Sequence, residues 1–188
     1  MRAFPLLASA GAVALALLTS CDCPRESAGG YAPEPNEAIA VVVPTQGSQV
    51  HGVVRFIANG DAVKVVADIE GLPPSSSHGF HIHEFGDASA VDGMSAGSHY
   101  NPDKHQHGGP ESAEHHAGDL GNLVADATGK AHYEYTSHDI SLVGAHHPIL
   151  GRSVIIHTSA DDLSPKPNVG ARIAIGVIGL ASPPAPAK

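Results

Sequence analysis

From residue 38 onward the chain is a series of short apolar runs rich in β-branched residues, each broken by Gly, Pro, Asn or Asp. Runs at 38–43, 50–58, 62–70 and 79–85 have the length and composition of strands. Asn59-Gly60, between the second and third, is a hairpin signal. The runs resume at 120–124, 131–136, 153–158 and 172–178, with Thr128-Gly129 turning the middle pair. No segment carries a convincing helical period. Eight short strands separated by turn chemistry predict an all-β antiparallel sandwich or barrel. Two segments, 86–119 and 159–171, lack any periodicity, and ordered loops of that length are usually functional.

Composition agrees with this pattern. The chain has 188 residues, 42% hydrophobic and 4% aromatic, with 21 Gly and 15 Pro, which suits one domain of strands and turns. The expected organisation is an export signal at 1–20, a tether at 21–37 and the domain at 38–188. Met1-Arg2 is a charged start, 3–18 is an Ala/Leu run, and Leu18-Thr19-Ser20-Cys21 closes it. That run is shorter than the ~20 residues of a spanning helix and resembles a bacterial lipobox, so Cys21 becomes the lipidated mature N-terminus. The alternative is an ordinary secretory signal without lipid. Residues 22–37, with Pro24, Gly29, Gly30, Pro33 and Pro35, read as a coil that reaches roughly 20–25 Å from the membrane. The expected location is therefore the cell envelope or periplasm, lipid-anchored to a membrane.

The two cysteines, Cys21 and Cys23, both precede the domain, which therefore holds no internal disulfide. Net charge is -9, and loss of the signal removes Arg2 and no acid. That balance argues against nucleic acid as a partner.

Fourteen histidines carry the candidate chemistry. Strand alternation puts Phe80 and Ile82 on one face of the fourth run and His81 and His83 on the other. The simplest assignment points the apolar pair inward and the histidines outward. In the seventh run Ile155 and His157 share a face opposite Val154 and Ile156, so both strands can offer imidazoles to one external site. A fourth imidazole from a loop completes an all-nitrogen set, which suits Cu(II). In the first long segment His99, His107, His116 and Asp119 offer three nitrogens and one carboxylate oxygen, a closed sphere of the structural zinc type. Gly108-Gly109-Pro110 and Gly118 supply the turns to wrap such a loop around an ion.

Five ordered fragments carry a family resemblance: Gly79-Phe80-His81-Ile82-His83-Glu84-Phe85-Gly86-Asp87, Ser95-Ala96-Gly97-Ser98-His99-Tyr100-Asn101-Pro102, His107-Gly108-Gly109-Pro110, His116-Ala117-Gly118-Asp119-Leu120-Gly121-Asn122 and Gly176-Val177-Ile178-Gly179. Over about 39–181 the chain resembles copper/zinc superoxide dismutase. The resemblance implies an eight-stranded antiparallel Greek-key barrel or sandwich with two long functional loops, and dismutation of the superoxide anion to oxygen and hydrogen peroxide. It implies copper on His81, His83, His99 and His157, and zinc on His99, His107, His116 and Asp119, with His99 bridging. Arg172 stands at the family's arginine beside copper, where a fixed cation attracts and orients superoxide. Asp161, four residues after His157, stands at the aspartate that links a copper histidine to a zinc histidine. The competing reading is a non-enzymatic copper-binding or metallochaperone module on the same fold. Such a module would tolerate loss of a ligand or of Arg172, and all are present.

The sequence departs from the family in two places. The usual disulfide would join the vicinity of Gly93-Met94 to Ile175, and no cysteine stands at either. A Met94 to Ile175 contact is expected to replace it, with metal binding holding more of the loop. The second long loop is also short and carries few cations apart from Lys166, so steering is expected to rest on Arg172 and copper, with a weak salt dependence. Of the remaining histidines, His78 and His147 read as structural hydrogen-bonding groups, and His51, His105, His115, His132, His138 and His146 as surface residues. Arg152 reads as a structural loop contact. A homodimer fits the family, which uses several dimer modes.

Overall fold

Eight strands carry the chain back and forth: β1 Glu37–Pro44, β2 His51–Asn59, β3 Ala62–Glu70, β4 Ser77–His83, β5 Asp119–Val124, β6 Ala131–Ser137, β7 Ser153–His157 and β8 Arg172–Leu180. The computed structural model describes residues 35–182. The expected export signal, Cys21 and most of the expected tether lie outside the described residues. Every strand pair is antiparallel, in the order β5-β4-β7-β8-β1-β2-β3-β6. The hydroxyl of Tyr133 on β6 donates to Leu120 O on β5 at 2.6 Å and draws the two free edges together. The result is a nearly closed Greek-key barrel, since β3 runs beside β6 and β4 beside β7.

The turns follow the local chemistry. Gly60 adopts φ 65°, and Asn59 pairs with Ala62 across a two-residue hairpin loop. At the β5–β6 turn the Asp126 carboxylate accepts N–H bonds from Thr128 at 2.7 Å and Lys130 at 3.1 Å.

Phe56, Val65, Ile69, Phe80, Ile82, Leu123, Val154, Ile156 and Ile178 fill the barrel interior. The parity expected for β4 and β7 holds, because Phe80, Ile82, Val154 and Ile156 belong to this core. The expectation that the opposite face looks outward needs a correction. His81, His83 and His157 lie on the outer face of the barrel yet are only 0%, 1% and 4% exposed. The two long loops roof that face. Beneath the first of them, Ala96, Ile155 and Ile175 form a second small apolar core.

That second core also corrects the expected substitute for the disulfide. Met94 is 60% exposed and stands outside the cluster, and Ala96 supplies the contact to Ile175. The chain turns between them in a short 3-10 helix at Met94–Ala96, entered through Gly93 at φ 73°. Polar links complete the attachment. Arg172 donates from Nη1 to Gly93 O at 2.7 Å and from Nη2 to Gly97 O at 2.6 Å. Arg152 donates from Nη1 to Glu84 O at 2.8 Å and stacks 3.4 Å above the Tyr100 ring. Strand β4 ends at His83, two residues before the expected limit, because the backbone there bridges to His99 of the loop and leaves Phe85 57% exposed.

Candidate metal centre

Two groups of ligand-type side chains meet at the roofed face. His81, His83, His99 and His157 form one, and His99, His107, His116 and Asp119 the other, with the donor atoms of each group within 4.8 Å of one another. His99 belongs to both.

In the first group each strand histidine has one ring nitrogen held and the other free. His81 donates from Nε2 to Asp161 Oδ2 at 2.7 Å, His83 from Nδ1 to Gly97 O at 3.0 Å, and His157 from Nδ1 to Gly170 O at 3.4 Å. The opposite atoms, His81 Nδ1, His83 Nε2 and His157 Nε2, are buried without a partner. Buried polar atoms are almost always paired, so three orphans converging on one point fit a metal ion that accepts their lone pairs. Burial keeps these rings neutral, the form that binds a metal. It lowers His81 to about 4, His83 to about 2 and His157 to about 3, reinforced by the neighbouring imidazoles. The His99 ring stacks 4.0 Å from that of His81 and lies 5.1 Å from that of His83.

The second group is built around Asp119, the first residue of β5. Its Oδ1 lies 2.9 Å from His99 Nδ1 and 3.2 Å from His116 Nδ1, and its Oδ2 lies 2.9 Å from His107 Nδ1. The last contact is outside hydrogen-bonding geometry, which leaves His107 Nδ1 a fourth orphan. Oδ2 also accepts the backbone N–H of His116 at 2.8 Å. Burial alone would raise the Asp119 carboxyl, but the three surrounding imidazoles outweigh it and hold the group far below the usual carboxylate range. Three nitrogens around one ionised oxygen match a tetrahedral zinc set. The loop can wrap so tightly because of Gly118. A Cβ there would stand 2.3 Å from Ile82 O, where the chain is pinched between β4 and Tyr100.

Asp161 joins the two groups. Besides accepting from His81, its Oδ1 accepts from His107 Nε2 at 3.1 Å. One carboxylate thus orients a ring of each set and raises the basicity of both. Burial opposes ionisation of Asp161, but the His107 and His81 hydrogen bonds prevail and lower its pKa. The same pairing raises His107 to about 9, the carboxylates Asp119 and Asp161 overcoming its burial. Asn122 fixes Asp161 in turn. Its Nδ2 donates to Asp161 O at 2.9 Å, and its Oδ1 accepts from Asp161 N at 2.7 Å.

A pit of about 750 Å³ opens from solvent onto His83, His99, His107, His116 and His157. Arg172 lines it, with Glu84, Lys104 and the 165–171 segment. Two of the Arg172 nitrogens bond loop carbonyls, so the guanidinium is held in place. Burial lowers its pKa, opposed by Asp92, from a value high enough that it stays charged.

All seven expected ligands, Arg172 and Asp161 therefore converge on one site. His105 is exposed, whereas His107 is buried and belongs to the second group. His78 bonds His157 O at 2.7 Å and Ser76 Oγ at 2.7 Å, and His147 bonds Asp139 O at 2.7 Å, as structural histidines. Of the six histidines expected at the surface, His115 is half-buried against Asp139 at 3.2 Å. Arg152 is the expected structural contact. Three contributors escaped the sequence reading: Ala96 beneath the loop, Asn122 behind Asp161, and Lys104 on the pit wall. Asn122 sat in a recognised motif, but strict alternation groups it with the core residue Leu120, and it is the register shift on β5, with Gly121 at φ 78°, that lets it reach Asp161.

Comparison with known proteins agrees with this geometry. Residues 50–178 match the family model described as copper/zinc superoxide dismutase. The chain is 43% identical over 157 residues to the Cu-Zn superoxide dismutase of Paramecium bursaria Chlorella virus 1, covering 79% of this chain and 80% of that protein. It is 40% identical over 153 residues to the Cu-Zn superoxide dismutase of Cryptococcus neoformans var. grubii, covering 76% and 98%. It is 46% identical over 159 residues to an extracellular Cu-Zn superoxide dismutase of Drosophila melanogaster, covering 78% and 86%.

Proposed function

The chain belongs to the copper/zinc superoxide dismutase family, whose members dismute superoxide with copper and zinc, and on that premise we propose that His81, His83, His99 and His157 hold copper while His99, His107, His116 and Asp119 hold zinc. The observation that carries this reading is the set of orphaned ring nitrogens on His81, His83 and His157, each with its opposite nitrogen held. Copper held by the first set would supply the one-electron chemistry by which two superoxide anions and two protons become one oxygen and one hydrogen peroxide.

The protein residues do the rest. Arg172 attracts the anion and orients it over the imidazole cluster, its own position fixed by Gly93 O and Gly97 O. His99 Nε2 holds a proton in one half of the cycle and delivers it to the forming peroxide in the other. Asp119 keeps the His99 ring in place throughout. Asp161 fixes the tautomers of His81 and His107. The loops confine access to the pit.

The physiological role we propose is protection of the cell envelope from superoxide, with the enzyme exported by residues 1–20 and held to a membrane by a lipid on Cys21. The lipobox-like Leu18-Thr19-Ser20-Cys21 supports this, as does the extracellular relative from Drosophila melanogaster. A homodimer is part of the proposal, supported by the exposed Val41 and Val43 of β1 and Val177 of the adjoining β8.

Superoxide decay, followed by pulse radiolysis on protein loaded with one copper and one zinc, tests the function. His157→Ala should abolish catalysis, and Arg172→Ala should slow it about tenfold or more while leaving the metal content intact. A fully loaded wild type without activity overturns it.

A further inference from the structure

Met94 carries the only sulfur of residues 24–188. The chain has 2 Met and 2 Cys, and the other three, Met1, Cys21 and Cys23, all precede the domain. That single thioether belongs to neither apolar core. It is 60% exposed, and it lines the pit that opens onto His83, His99, His107, His116 and His157. An exposed apolar side chain is ordinary by itself, so what shares the pit with it decides its meaning.

The turn that bears Met94 is fixed and tied to the first histidine group. Asp92 Oδ1 accepts the Met94 N–H at 3.0 Å. Met94 O accepts from Gly97 N at 3.3 Å, and Gly97 O accepts in turn from His83 Nδ1 at 3.0 Å. Among the described residues no hydrogen bond of this turn reaches His107 or His116. A second observation points to a ligand. His83 Nε2 and His157 Nε2 are buried without a partner, and both residues line the same pit as Met94. One wall therefore offers an accessible soft sulfur, and behind it two vacant imidazole lone pairs.

We propose that Met94 is a capture ligand for Cu(I): its thioether takes the ion from solution or from a donor, passes it to His83 and His157, and is then released. The role presupposes that the first group holds copper. A thioether suits Cu(I), whereas imidazole and carboxylate serve Zn(II) and Cu(II). Since one pit opens onto both groups, a sulfur linked to the first gives Cu(I) a route that zinc lacks. The transfer balances without redox chemistry. A bond from sulfur to copper forms as the donor lets go and breaks as the ring nitrogens bind. Each accepting nitrogen already has a free lone pair, because the opposite nitrogen of its ring carries the proton given to Gly97 O or Gly170 O.

Holding an ion beside its final site raises its effective concentration to about millimolar, far above that of a scarce donor. Losing the sulfur should therefore slow capture and leave the final affinity alone. The test uses the chain loaded with zinc and free of copper, as wild type, as Met94→Leu, as wild type with Met94 oxidised to the sulfoxide, and as Val91→Leu. Leucine keeps the apolar volume without the sulfur, the sulfoxide replaces the thioether with a polar group, and Val91 is exposed outside the pit. Cu(I) is supplied without oxygen as its coloured bicinchoninate complex at micromolar concentration, and uptake is followed as the colour fades. Cu(II) uptake is followed by visible absorbance, and final Cu(I) affinity by competition at equilibrium.

Met94→Leu and the sulfoxide should each take up Cu(I) about tenfold more slowly than wild type, with Cu(II) uptake and final Cu(I) affinity unchanged. Val91→Leu should match wild type throughout. Equal Cu(I) uptake by wild type and Met94→Leu overturns the capture role. So does a slowing shared by Cu(II) or by Val91→Leu, which marks a disturbed loop, and so does a weakened final affinity, which makes Met94 a resident ligand. A wild type that binds no copper at His83 and His157 would instead overturn the metal assignment that the role presupposes.

Discussion

Replacing Asp161 with asparagine should weaken both metals at once, because a single carboxylate orients one ring of each set. Asp161 accepts from His81 Nε2 at 2.7 Å and from His107 Nε2 at 3.1 Å, and its side chain is fully buried. Asparagine keeps the shape and the backbone bonds to Asn122 but offers one acceptor oxygen and no charge. One imidazole N–H must then go unsatisfied or its ring must turn. Loss of a partner behind a ligand typically costs 10–100-fold in metal affinity, which is about 1.4–2.7 kcal/mol. That figure agrees with about 1.5–3 kcal/mol for a hydrogen bond to a charged group. Competition against chelators of graded strength would measure copper and zinc affinities separately. Asp162→Asn, an exposed neighbour bonded to Ser164 N, serves as the control and should change neither. If Asp161→Asn shifts one metal only, or neither, the linking role is wrong.

Three further outcomes follow from the same geometry. With no disulfide under the first loop, stripping both metals should lower the melting temperature by roughly 15–30 °C, since two ligands at a thousandfold over their Kd contribute about 8 kcal/mol; equal melting of loaded and stripped protein would contradict this. The metal-free protein should be most stable near pH 6.5. His81, His83 and His157 have folded pKa values depressed to about 4, 2 and 3, so below 6.5 the unfolded chain takes up protons the folded one refuses, and stability falls by about 4 kcal/mol per pH unit. His107, raised to about 9, contributes stability below 6.5 that is lost as pH rises through 9. Urea midpoints across pH 4–10 that showed no such maximum would refute the burial argument. Finally, Ile155→Ala should cost about 2–4 kcal/mol in a denaturant melt and loosen the loop through Ala96 and Ile175, with faster amide exchange at 93–97; unchanged exchange would deny the second core its anchoring role.

Much of this centre was legible because strand parity is a strict rule. His81, His83 and His157 had to share a face once Phe80, Ile82, Val154 and Ile156 were assigned to the core. Asp161 and Arg172 followed from their spacing within a recognised family pattern. Less legible was whatever depends on how a loop folds back. Parity puts His81 and His83 opposite the core but does not say that the loops will roof them. Nothing in the order of Gly93, Met94 and Ala96 shows that the smallest of the three packing side chains, Ala96, reaches Ile175 while Met94 stays in solvent. Lys104 was hidden for the same reason, since its place on the pit wall depends on a left-handed turn clamped by Asn101.

The central claim is that two metal sites share His99, and metal content per chain tests it most directly. Purified protein saturated with copper and zinc, then desalted, should retain one of each by elemental analysis. His157→Ala should lose copper and keep zinc, His116→Ala should lose zinc and keep copper, and His99→Ala should be depleted of both. A His99→Ala protein that retains either metal at wild-type affinity would contradict the shared ligand.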